Sequence, residues 1–318
     1  MSSVAQSRLG VGFKKIPVIL WGLIAIVIVL GIVSPNSVHP AHLLNFTRQA
    51  APMIVVSIGQ MIVMIVGGLD LSVAAVMVLI DVIANQMMMN DPSKAVPVAL
   101  FCLLIGALIG LLNGYLCAVL RMPSFVVTLG MSTLLLGITM IYCGGAPKGS
   151  IPDNFRALGT GFVGRVPTAA FVWLIISVIV ILVFRYLPIG RYIYATGINA
   201  QAVYQAGLPH IKIQVLCYVL CGLFAAIAGL QIAAYIGTAS LQLGEDYQTK
   251  SIAVALLGGA SFSGGKGSVV GIILASMFMV VMSSLIGVLN MGAGDQRIIE
   301  GAIILVGLIL NGVRGRRD

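Results

Sequence analysis

The sequence predicts an all-α integral membrane protein, a bundle of about ten transmembrane helices that includes one broken or re-entrant span. Three observations lead there. Of 318 residues, 59% are hydrophobic and 8% charged, with a mean hydropathy of +1.10. A soluble domain carries about a quarter charged residues to cover a water-facing surface. Apolar runs near the ~20 residues that one bilayer crossing needs recur along the whole chain. Basic residues are shared unevenly between the loops of the two sides.

The predicted spans, in order, are 17–33, 50–66, 71–89, 97–120, 124–143, 168–186, 213–237, 251–261, 267–290 and 297–312. The first follows Lys14 and Lys15, a flank shared by signal peptides and retained anchors. Ser34, Pro35 and Asn36 come next instead of an A-x-A-like cleavage site, which favours the anchor. The eighth run is too short for a plain crossing, so it is either continued by 262–266 or re-entrant. Ten crossings put both termini on one side, with tails at 1–16 and 313–318 flanking a single membrane domain, 17–312. Arg8, Lys14, Lys15, Arg121, Arg185, Arg191, Lys212, Lys266, Arg314, Arg316 and Arg317 then share that side, and the remaining basic residues are mostly offset by nearby acids. The more basic side is the cytoplasmic one, so both termini are expected inside. The net charge of +9 has no aromatic-rich basic face, so it suits membrane lipid and not nucleic acid.

Two stretches on the inner side carry the most information. Gly67-Gly68-Leu69-Asp70-Leu71-Ser72-Val73 breaks the second span, and Asp70 or Ser72 is placed to cap the helix that follows. A polar island, 185–212, then separates two apolar runs. Within it, 200–206 lacks Gly and Pro and is long enough for about two helical turns. Asn199 is the expected N-cap, and Gly207 with Pro209 the expected stop. The island is therefore expected to form one short helix outside the bilayer, tethered at both ends. On the outer side, 144–167 is too rich in Gly and Pro for a regular helix throughout. With 238–250 it forms either a charged docking surface or ordinary solvated loop.

Polar residues inside spans are candidates for a solute pathway. Asp81 is costly in an apolar run and should face a bundle interior or water, and Asn85 lies one turn further on the same face. Gln60, Asp70, Ser72 and Asn113 complete the candidate pathway set, with helix capping as the structural alternative for Asp70 and Ser72 and interhelical hydrogen bonding for Gln60 and Asn113. Ser261–Ser268 only imitates a phosphate loop: aligning Lys266 with the motif lysine leaves Ala260 and Gly267 at positions that require Gly and Ser/Thr. No nucleophile, base or metal-ligand constellation is recognisable, and the five cysteines sit mostly in apolar runs, where they suit packing.

Gly190, Arg191, Ala195, Gly197, Asn199, Ala202, Ala206, Gly207 and Leu208 resemble the cytoplasmic coupling loop of the ribose/xylose/arabinose-type permease family of ABC importers. The Gly67–Val73 box is similar to a box of the same family, with Ala74 where the family usually has Gly. Asn113-Gly114, Pro123, Thr128-Leu129-Gly130 and the Gly258–Ser268 turn also resemble family blocks. The resemblance implies a type II ABC importer-like permease of the bacterial inner membrane. It would move a monosaccharide inward and bind no cofactor itself, with ATP and Mg on a partner. Segment 188–209 would dock on a dimer of ATP-binding subunits. A second permease chain, identical or different, would complete the pathway, and a periplasmic solute-binding protein would deliver the sugar. The competing readings are an ion-coupled secondary transporter centred on Asp81, a channel, or an ABC permease for a furanosyl signal, a nucleoside or a branched-chain amino acid.

Overall fold

The computed structural model describes residues 18–242, 244–292, 294–303 and 305. Its helices in chain order are α1 (Val18–Val33), α2 (Pro40–Ile65), α3 (Val73–Met88), α4 (Ala95–Gly114), α5 (Ser124–Cys143), α6 (Asp153–Thr160), α7 (Thr168–Tyr186), α8 (Pro188–Ile198), α9 (Ala200–Gln205), α10 (His210–Ile236), α11 (Glu245–Leu257) and α12 (Val269–Val288). One two-residue hairpin, β1 (Phe162–Val163) with β2 (Val166–Pro167), sits between α6 and α7. The bundle is all-α, as the sequence predicts. Six helical stretches are long and apolar enough to cross a bilayer, and Ile19–Val33 and Val73–Met88 are shorter apolar helices. Residues 294–303 are helical, so the tenth predicted span begins inside the described residues; the rest of it, like both predicted tails, lies outside them.

Hydrogen bonds sort the connections into two ends. At one end Asn90 N–H donates to Ser150 O (2.9 Å), Ile151 N–H donates to Gly237 O (3.2 Å), and Ser150 pairs with Thr238. This α6 end gathers the α3–α4, α5–α7 and α10–α11 connections. At the other end Gly265 N–H donates to Ile65 O (2.8 Å) and Leu69 N–H to Ser124 Oγ (3.2 Å). That end gathers the α2–α3 break, the α4–α5 connection, α8 and α9, and the α11–α12 turn. The grouping matches the two sides read from the sequence.

α10 is the central column, packed against α4, α2, α3 and α6. Its contact with α4 is backbone on backbone. Gly106, Gly110 and Gly114 recur every four residues and so line one stripe of α4. A Cβ on Gly106 would meet the Gly222 carbonyl at 2.5 Å, one on Gly110 would fall onto the Tyr218 carbonyl, and one on Gly114 would lie 2.9 Å from Val215 Cα. Such small-residue stripes are how helices approach closely in lipid, where apolar surface gives no net drive for one helix to seek another. By contrast α4, α5 and α7 turn Leu104, Leu108, Ile138, Ile141, Ile175 and Ile179 outward, as a lipid-facing surface requires.

Outside the polar island, the elements depart from expectation in four places. The second span starts at Pro40, ten residues earlier than predicted, because Pro40 opens α2 at its first turn and the polar residues after it continue the helix at the α6 end. The eighth is a 13-residue helix beginning at Glu245, and beyond Leu257 the chain runs as a glycine turn with Gly259, Gly264 and Gly265 at positive φ; it is not continued as helix by 262–266. The glycine- and proline-rich loop holds α6, started at Pro152 and seated where Gly159 lies so close to the Ala234–Tyr235 backbone that a Cβ would meet Tyr235 N at 2.5 Å. The fourth span ends in a π-helical turn, Tyr115–Val119.

Gly110→Val should therefore cost folded protein, since overpacking a tight contact costs about 1–3 kcal/mol or more. The check is the yield and melting temperature of detergent-solubilised protein. Gly137→Val on α5, whose added Cβ meets nothing within 4 Å, should change neither.

Candidate functional site

The polar island folds as two helices where one was expected. α8 takes in Gly190 and Arg191, which the sequence places in a flank, because Pro188 at its first turn starts a helix early. Asn199 sits between the two helices in extended backbone, and its side chain accepts from Ala202 N–H at 3.0 Å, the predicted N-cap of α9. At the far end Gly207 (φ +75°) donates to Tyr204 O (2.9 Å) and Leu208 N–H donates to Val203 O (3.1 Å), a Schellman close. Arg191, Ala202, Ala206 and Gly207 are exposed, with Leu208 half-buried, so the segment presents a surface. Two residues that the sequence reading overlooked complete it. Ile198 is 75% and Tyr204 61% exposed at this polar end, a pattern that suits contact with another protein. Only their exposure in the fold reveals this.

α8 is wired into the bundle by backbone. Gly197 approaches the Ile65 carbonyl so closely that a Cβ there would overlap it, and a Cβ would also lie 2.6 Å from Gly265 N. Tyr194 Oη–H donates to Gly267 O at 2.8 Å, and the Phe184 and Tyr194 rings meet edge to face at 5.5 Å. α8 thus touches the last residue of α2 and the α11–α12 turn together.

Beside that contact the Gly67–Val73 break is held by a buried polar knot. Asp70 Oδ1 accepts from Ser72 N–H (2.8 Å) and from Ser72 Oγ–H (2.6 Å), while Asn113 Nδ2–H donates to Ser72 Oγ (2.9 Å). Leu71 N–H donates to Thr128 Oγ1 (3.0 Å). The expected capping of α3 by these side chains is corrected: Ser72 is the N-cap residue, but its side chain makes no cap hydrogen bond. Asp70 folds the turn in front of the helix instead. The Asn113 and Thr128 bonds to α4 and α5 win because they satisfy the break's polar groups from both neighbours.

Asp81 and Asn85 lie toward the α6 end. Asn85 Nδ2–H donates to Asp81 O (2.9 Å) and Oδ1 (3.0 Å), and Asp81 Oδ2 accepts from Ser240 N–H at 2.9 Å. The carboxylate thereby ties the loop after α10 to α3. Gln60 is fully buried, and neither of its amide atoms is hydrogen-bonded among the described residues. The structure brings Asp70, Ser72 and Asn113 together, and Asp81 with Asn85, but leaves Gln60 apart. None of the six lines the large cavity that opens near the α6 end.

That cavity, about 500 Å³, lies among α2, α10, α11 and α12. Its walls include Gln231, Tyr235, Ser240, Asp246, Lys250 and Ser283. Lys250 Nζ bridges Asp246 Oδ2 (3.3 Å) and Glu300 Oε1 (3.1 Å). Arg48, also in the wall, lies over the Phe162 and Tyr235 rings at 5.6 and 5.4 Å, a cation–π arrangement. Sequence reading missed Gln231, alone in an apolar run, and Ser283, paired only with Ser284 in another, because neither belongs to a motif.

Residues 42–310 match the family described as branched-chain amino acid transport system / permease component. Among curated proteins, the ribose import permease protein of Haemophilus influenzae is 31% identical over 93% of this chain and 92% of its own length. That of Escherichia coli K12 is 31% identical over 91% and 92%. An autoinducer 2 import system permease protein of Yersinia pseudotuberculosis is 29% identical over 92% and 83%. No solved structure matches the chain.

Asp81→Leu should free the loop it holds. A net hydrogen bond contributes about 1 kcal/mol, so amide exchange at Ser240 should quicken about fivefold, measured by hydrogen–deuterium exchange, while α5 is unaffected.

Proposed function

We propose, from the premise that the chain belongs to the branched-chain amino acid transport system / permease component family, that it is the membrane-spanning subunit of an ABC importer for a monosaccharide. Membership carries the multi-pass permease role, with an ATPase and a solute-binding protein as partners in the general sense. The sugar is supported by the ribose import permeases, which align with this chain over nearly their whole length. The finer points are proposals. ATP and Mg sit on the partner and this chain binds no cofactor; two permease chains flank the pathway; the protein lies in the bacterial inner membrane, with the α8–α9 end and both termini in the cytoplasm.

The observation that carries the mechanism is the contact of Gly197 with Ile65 and Gly265. A closing ATP-binding dimer pressing on Arg191, Ile198 and Tyr204 would move α8, and α8 cannot move without displacing the end of α2 and the α11–α12 turn. The opposite end of α2, with α11 and α12 on either side of that turn, also walls the cavity. A shift between inward- and outward-open forms needs only a few kcal/mol of differential contact energy. The buried knot around Asp70 and Asn113 keeps the α2–α3 break satisfied while its two halves adjust, and Gln60, Asp81 and Asn85 remain candidates for contact with the passing solute.

Two measurements test this. Arg191→Glu, or Gly197→Leu at the buried contact, should lower ATP-driven sugar uptake into proteoliposomes at least tenfold while the protein stays inserted and ATP is still hydrolysed; wild-type coupling in both variants would remove the role of α8. Separately, the purified chain alone should accumulate no ribose under a proton or sodium gradient, and accumulation there would favour an ion-coupled transporter.

A further inference from the structure

We propose that the cavity at the α6 end, lined by residues of one chain, is a stopping site for one neutral monosaccharide on its way to the pathway between the two permease chains, with Gln231 as its central hydrogen-bonding residue. The proposal rests on the import reading above and assigns the place where the solute is held.

Gln231 carries the argument. It sits on the central helix α10, is only 5% exposed, and has neither its amide oxygen nor its amide nitrogen hydrogen-bonded among the described residues. Buried polar groups are normally paired, and an unpaired one costs about 1–3 kcal/mol. The side chain lines the cavity, so a group inside that space is what it lacks. A sugar hydroxyl suits an amide, donating to Oε1 and accepting from Nε2. The ~500 Å³ volume falls in the ~300–1,000 Å³ range of small-molecule sites.

The charges in the wall argue for a neutral occupant. Lys250 is already held between Asp246 and Glu300, while Arg48 rests against two aromatic rings with its buried Nε hydrogen-bonded to nothing among the described residues, a further donor for a hydroxyl. The ammonium of a zwitterionic amino acid would have to take Asp246 from Lys250. A polyol leaves those contacts in place and uses Gln231, Ser283 and the Ser240 segment, with Met53, Ile232 and Met279 against its C–H faces. Asp81 is a positioning residue here, because it fixes Ser240 at the rim. The α2 and α11–α12 elements that α8 grips are the ones that would reshape this wall.

The test uses the complete importer, permease with its ATP-binding subunit and binding protein, in proteoliposomes. Wild type is first offered labelled ribose, xylose, arabinose, glucose and leucine. If leucine alone enters, or no sugar does, the monosaccharide reading falls and this proposal with it. With an imported sugar in hand, Gln231→Leu, which keeps the volume and removes the amide, should lower uptake at least tenfold. Uptake within twofold of wild type overturns the cavity proposal and leaves the import reading standing. A second readout does not depend on that variant assembling. Ser283→Cys should react with a membrane-impermeant maleimide, above the wild-type background, and millimolar imported sugar should slow the reaction at least threefold while leucine does not. Labelling that ignores the sugar also overturns the proposal.

Discussion

The close approach of α4 to α10 is the constraint on which the rest depends. In lipid, apolar surface gains nothing by leaving one hydrocarbon environment for another, so van der Waals contact and hydrogen bonds must hold helices together. The glycine stripe Gly106, Gly110, Gly114 brings α4 onto the α10 backbone at Tyr218 and Gly222. This fixes α10 as a column in the bundle centre, with α2, α3 and α6 arranged around it. Asn113, one residue from the last glycine of the stripe, is thereby aimed at Ser72 and closes the polar knot at the α2–α3 break. Gln231, further along α10, is carried to the cavity by the same column.

A second consequence is mechanical. Backbone contacts of glycine cannot be relieved by a rotamer change, so they transmit displacement. Gly197 against Ile65 and Gly265 is a contact of that kind, placed between an exposed helical pair and two elements that run through the membrane domain to the cavity. The chain therefore has an exposed helical pair at one end, a cavity with polar and charged groups in its wall near the other, and close backbone contact between the pair and the bundle. The break at Gly67–Ser72 lies beside that connection, where two half-spans need freedom without leaving polar backbone unsatisfied.

Much of this is visible in the residues. The apolar runs give nearly every membrane helix, with 124–143 and 168–186 matching α5 and α7 end for end, because hydrocarbon thickness sets a length that composition must meet. Asn199 and Gly207 mark the ends of α9 because capping is local chemistry. Expectations fail where a distant partner decides. α6 forms in a glycine-rich loop because Gly159 has the α10 backbone to lie against. Ser72 makes no side-chain cap at the α3 start, because its hydroxyl is engaged by Asp70 and, from α4, by Asn113. Polarity in an apolar run cannot distinguish Asp81, which ties down a loop, from Gln231, whose amide has no hydrogen-bond partner among the described residues.

The sequence by itself determined that the chain is a multi-pass membrane protein, how many apolar runs it has, and where a polar segment interrupts them, since each of these follows from local composition and spacing. Only the tertiary structure decided which buried polar groups are paired and which are left facing space, and which glycines are crossing points between helices. Those are properties of pairs of residues far apart in the chain, and they exist only once helices such as α4 and α10 have come within backbone contact.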